Sequence, residues 1–100
     1  MVKEIGKAGI TTKSLERLRK LGCVVVKIHG GPFQPNAVDI LGVAPCGHAL
    51  AIETKKPGSG PTPRQDGFLR AWAAKGAITG TVHSADEAEI ALRGHTCELG

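Results

Sequence analysis

The sequence predicts an α/β fold, a mixed four-stranded sheet flanked by helices in the order αβββαβα. Three observations predict it. Two apolar segments, 38–44 and 48–54, are joined by Pro45-Cys46-Gly47, a three-residue hairpin loop in residue type. A β-branched segment, 77–82, stands between two segments that open with helix-capping residues, Thr62 and Ser84. A leucine-bearing amphipathic segment comes first and stops at Gly22. A hairpin followed by a helix and another strand makes an antiparallel pair extended by a parallel crossover strand.

Each element has its own warrant. Residues 1–10 carry Gly6 and Gly9 and predict at best a weak helix. From Thr12 to Leu21 the pattern improves, with Leu15, Leu18 and Leu21 on one side and Lys13, Glu16, Arg17, Arg19 and Lys20 on the others. Residues 23–29, β-branched and apolar, predict a buried strand with Cys23 as a small core residue. Residues 30–36, with two glycines and two prolines, predict a loop. Residues 56–61 predict a connection without apolar side chains other than proline. Thr62, Pro63 and Gln65 then form a capping-box helix start, Phe68, Leu69, Trp72 and Ala73 make its apolar face, and Gly76 ends it. Ser84 and Glu87 repeat the capping pattern for a last helix reaching Arg93. No repeat or internal boundary divides the chain, so 1–100 reads as one domain.

Composition narrows the function. With three aromatic residues, Phe33, Phe68 and Trp72, the chain lacks the platforms of a base-stacking single-strand binder. A net charge of +4 suits a polyanionic partner. No apolar run approaches the roughly 18 residues of a membrane span, and no signal peptide is legible. Three cysteines, an odd number, fit a reducing cytoplasm better than a disulfide framework.

The chemistry concentrates on the hairpin. With the three-residue loop, Ala44 faces His48, which sets Asp39 opposite Glu53. Glu53 and Lys55 share a strand face by the period of two. Two carboxylates placed together repel unless a cation separates them, and oxygen donors suit Mg²⁺ or Mn²⁺. A neighbouring lysine stabilises developing negative charge. This is a metal site fit for phosphodiester chemistry. The plainer alternative is a surface ion pair at a strand end, worth little.

Other residues carry weaker signals. Lys27 and His29 beside Gly30 and Gly31 can receive a phosphate, or simply border a turn. Cys46, His48, His95 and Cys97 are a tetrahedral zinc inventory, but C-x-H spacing is poor for zinc and separate surface side chains are the simpler reading. The basic residues Arg17, Arg19 and Lys20 read as a solvated helix face.

Taken in order, these segments resemble the VRR-NUC branch of the PD-(D/E)XK nuclease superfamily. The resemblance runs from about Leu21 to Leu92 and rests on Lys27-Ile28-His29-Gly30-Gly31 with Pro32-Phe33-Gln34, on Val38-Asp39, on Ile52-Glu53-Thr54-Lys55 and on Pro61-Thr62-Pro63-Arg64-Gln65. It implies a restriction-endonuclease-like core and a Mg²⁺-dependent endonuclease acting on DNA, structure-specific for branched or junction substrates. It also implies a homodimer in the cytoplasm of a bacterial or phage-infected cell. By resemblance, Asp39, Glu53 and the Thr54 carbonyl hold the metal, and Lys55 orients water or stabilises the pentacovalent phosphate. Gln65 borders the site, and Lys27, His29, Gly30, Gly31 and Lys56 meet the nucleic acid. Two departures stand out: Val38 replaces the motif proline, and the acid expected on the first helix falls near Lys7, with Glu4 and Glu16 as alternatives. The competing class is a non-catalytic nucleic-acid-binding or zinc-stabilised module on the same fold.

Overall fold

The computed structural model describes residues 6–29 and 38–95. Helix α1 spans Lys7–Lys20, β1 Val24–Lys27, β2 Ile40–Val43, β3 Ala49–Thr54, α2 Pro63–Ala74, β4 Ile78–Val82 and α3 Ala85–Arg93. The strands lie in the order β1-β2-β3-β4, with the first three antiparallel and β4 parallel to β3. The mixed sheet and its crossover are those expected from the chain order.

The hairpin register follows from its turn. Gly47 donates to the Ala44 carbonyl at 2.9 Å and Ala44 to the His48 carbonyl at 2.8 Å. Gly47 adopts φ 92°, a conformation glycine takes without steric cost. From there β2 and β3 run in the pairs Val43–Ala49 to Ile40–Ile52, so Asp39 follows in register opposite Glu53.

The two sheet faces divide the work. Helices α1 and α3 cover one face, where Leu15, Leu18, Val25, Ile40, Leu50, Ile52, Ile78, Val82 and Ala88 form the main core, with Cys23 among them. Helix α2 covers the β3–β4 half of the other face through Leu69, which packs on Val38 and Ala51 beside Phe68 and Trp72. The rings of Phe68 and Trp72 stack with centroids 5.3 Å apart.

Three expectations need correction. The first helix begins at Lys7 rather than Thr12, because Ile10 and Thr11 are buried against the sheet and packing outweighs the glycine cost. Strand β1 is an edge strand and not a buried one: only Val25 points to the core, and Val24 and Val26 are exposed. At Ser84 the box is half made. Its hydroxyl accepts from Glu87 N–H at 3.1 Å, but the Glu87 carboxylate turns to His83 instead.

The expectation of cysteines without a disulfide also fails, since Cys46 is disulfide-bonded while Cys23 is a free, buried thiol. An odd count hid this, because one core cysteine leaves an even remainder. Among the described residues no helix is long and apolar enough to cross a membrane.

Candidate functional site

Asp39 and Glu53 meet at one end of the sheet, where β2 begins and β3 ends. Glu53 is wholly buried, and neither of its carboxylate oxygens has a hydrogen-bond donor. Asp39 is held from below: its Oδ2 accepts from the Thr54 backbone N–H at 2.9 Å and the Thr54 hydroxyl at 2.8 Å. The Thr54 hydroxyl in turn contacts the Thr11 hydroxyl on α1. The Thr11 hydroxyl is itself set by donating to the Lys7 carbonyl at 3.1 Å. The aspartate is therefore oriented through a side-chain relay that ties β3 to α1.

The electrostatics are those of two acids forced together. Burial and the closely placed Asp39 carboxylate push Glu53 up to about 8, against the partial relief of Lys7 and Lys55. Burial also opposes ionisation of Asp39, but its neighbour Glu53, the hydrogen bonds from Thr54 and the charge of Lys7 hold its carboxyl below the usual range. The pair thus keeps about one proton between its members at neutral pH.

Such an arrangement is expensive without a ligand. A buried carboxylate lacking donors invites a cation or a proton, and the all-oxygen donor set suits a hard divalent ion. With two acids, the remaining coordination would come from a backbone carbonyl, water or phosphate, as Mg²⁺ commonly accepts. Among the described residues there is no cluster of three or more His, Cys, Asp or Glu able to hold a metal. The residues fit a site completed by its substrate.

Lysines approach from two directions. Lys7, in the first turn of α1, places Nζ 3.3 Å from Asp39 Oδ2 and 3.7 Å from Glu53 Oε1. Lys55 is half-buried just past β3 and anchored by its N–H to the Val82 carbonyl at 3.0 Å. The sequence reading missed Lys7 and Thr11. The signal was the i, i+4 spacing of Lys7 and Thr11, which puts both on the sheet-facing side once the helix is extended past Gly9.

The other expected residues divide. Gln65 makes the full capping box: its side chain accepts from Thr62 N–H at 3.0 Å and its own N–H donates to the Thr62 hydroxyl at 3.2 Å. Lys27, His29 and Lys56 are exposed. Gly30, Gly31, Glu4 and Cys97 lie outside the described residues. Glu16 is on the wrong part of α1: nine residues from Lys7, roughly 13 Å along the axis, it lines a cleft with Lys13, Arg17, Lys20 and Ala85. Of the zinc inventory, Cys46 is committed to a disulfide and His48 Nδ1 lies 3.0 Å from the Gly76 carbonyl. The rings of His48 and His95 meet edge to face, 4.4 Å apart.

The backbone fold has a counterpart among solved structures. One described as "VRR_NUC domain" aligns with a TM-score of 0.73 over 90% of this chain and 97% of that chain, at 22% identity. The chain has the VRR-NUC fold. No protein-family model and no curated protein matches the sequence. At this identity the likeness speaks for backbone architecture, and the VRR-NUC neighbour shares the mixed sheet and flanking helices described above.

Proposed function

We propose that the chain is a metal-dependent nuclease of the VRR-NUC type, an endonuclease that hydrolyses DNA phosphodiester bonds. The observation that carries this reading is Glu53, fully buried beside Asp39 with both oxygens lacking donors, in a chain with the VRR-NUC fold. Asp39, Glu53 and the Thr54 carbonyl would hold Mg²⁺ or Mn²⁺. The bound ion would polarise the phosphate and activate a water for direct displacement.

The protein's own groups have separable tasks. Thr54, with Thr11 behind it, fixes the Asp39 carboxylate so that no reorganisation is needed when a cation arrives. Lys55 stabilises negative charge developing on the phosphate. Gln65 sets the start of α2 and borders the substrate. Lys27, His29, Lys56 and the glycines Gly30 and Gly31 contact the DNA backbone, which positions without selecting sequence. A basic chain of net charge +4 assists that encounter. The substrate is branched or junction DNA and the working form is a homodimer, which presents two sites to two strands.

The test is a cleavage panel of single-stranded, duplex, flap and four-way-junction DNA, each with Mg²⁺, Mn²⁺ or chelator. Metal-dependent cutting of branched substrates is the expected result. Binding without cleavage in every arm would replace this reading with a non-catalytic nucleic-acid-binding module.

A further inference from the structure

The Lys7 ammonium lies within 4 Å of both acids, close enough to neutralise them and too close to tolerate a second cation between them. Oxygen ligands hold Mg²⁺ at about 2.0–2.1 Å, so a metal held by Asp39 and Glu53 would compete with Nζ for the same oxygens. One of the two must leave. Lys7 is able to leave: its side chain is 41% exposed and belongs to the first turn of α1. Glu53 is unable to follow, being wholly buried at the end of β3.

We propose that Lys7 is a built-in counter-ion that competes with the divalent metal for Asp39 and Glu53. The inference rests on the metal-site reading and deepens it. In the metal-free protein Lys7 stabilises the paired acids. Metal entry displaces the ammonium towards solvent, where an incoming phosphodiester offers it a new partner. The displaced interaction is lost from the metal's binding free energy, so Lys7 weakens metal affinity in the absence of DNA. Removing it leaves Lys55 as the cation acting on Glu53 among the described residues and strengthens metal binding.

Titration calorimetry with Mn²⁺ alone, on wild type, Lys7→Met and Lys7→Arg, tests this without reference to cleavage. Lys7→Met is expected to bind Mn²⁺ about tenfold more tightly than wild type, within the usual range of site-to-site coupling. Lys7→Arg, which keeps the charge, is expected to stay close to wild type. Circular dichroism of each variant checks that α1 is intact. Equal affinity in wild type and Lys7→Met would overturn the competition while leaving the metal centre standing. Weaker binding in Lys7→Met would overturn it also, by making Lys7 a support of the acids. Absence of Mn²⁺ binding in all three proteins would overturn the competition and the metal reading together.

Discussion

Burying Glu53 beside Asp39 gives the fold a weakness that depends on pH. The folded Glu53 carboxyl is raised from its ordinary 4.5 to about 8, so across that window the folded state holds more proton than the unfolded chain. Stability from this group is full below the ordinary value and is lost as pH rises through the window. Asp39 has the opposite sign, contributing above its ordinary value and losing that contribution as pH falls. The melting temperature should therefore decline between about pH 5 and about pH 8, and Glu53→Gln should remove most of that decline. A flat wild-type profile would show that the acids do not share a proton. The same substitution is nearly isosteric, so the protein should fold while metal-dependent cleavage falls at least about a hundredfold. Lys55→Met should lower turnover with Mn²⁺ affinity retained, because the proposed role of that lysine is on the phosphate. If calorimetry shows the affinity falling as far as the rate, Lys55 has been given the wrong task. The facing of Asp39 and Glu53 was legible in the sequence because a three-residue loop at Pro45-Cys46-Gly47 fixes every pair behind it. Lys7 was not legible, since its placement depends on burial of Ile10 and Thr11, a tertiary effect that overrides the local glycines.

Among the elements, α2 separates local structure from function most cleanly. Both reciprocal bonds of its capping box are made, Thr62 with Gln65. Gln65→Ala should cost about 1 kcal/mol, and Gln65→Glu should keep the cap, with a charge that suits a helix N-terminus. If Gln65 also borders the substrate, Glu sets a negative charge against a polyanion, so cleavage falls while the melting temperature holds. An active and stable Gln65→Glu protein would leave Gln65 as a cap alone. The strand β2 carries a different constraint at Gly42. A Cβ there would lie 2.0 Å from the Val24 carbonyl oxygen and 2.8 Å from Val25 Cα, both backbone atoms that cannot turn aside. Gly42→Ala should push β1 off the sheet and cost about 3 kcal/mol, near the top of the range for overpacking. A denaturant midpoint equal to wild type would contradict it. Strand existence and pairing were legible from β-branched runs and turns. The burial of β1 was not, because Val24-Val25-Val26 reads the same at an edge as in the middle of a sheet.

At the scale of the molecule, the helices leave one sheet surface uncovered among the described residues. Helix α2 shields β3 and β4, but on the same side of the sheet Val24, Val26 and Val43 are 69%, 53% and 40% exposed. They are contiguous, since Val24 pairs with Val43 and Val26 lies one pleat along the same face. Scattered apolar residues on a surface need no explanation, whereas a contiguous group beside an unpaired strand edge is an invitation to association. In the proposed homodimer a two-fold operator would bring this edge against its own copy, Val24 and Val26 meeting their counterparts, with Lys27 at the strand end opposing any slip that aligns like charges. The homodimer proposed for cleavage of two strands therefore has a surface on which to form. Sedimentation equilibrium should find wild type dimeric at micromolar concentration and Val26→Lys monomeric. Because Val26 is already mostly solvated, that substitution should change monomer stability by no more than about 0.5 kcal/mol, so circular dichroism should show a native fold. Cleavage of a single flap should survive in the monomer, while paired cutting of a four-way junction should become two independent events. A wild-type protein that stays monomeric at tens of micromolar would remove the dimer and leave the valine face without that role, with the chemistry of Asp39 and Glu53 untouched.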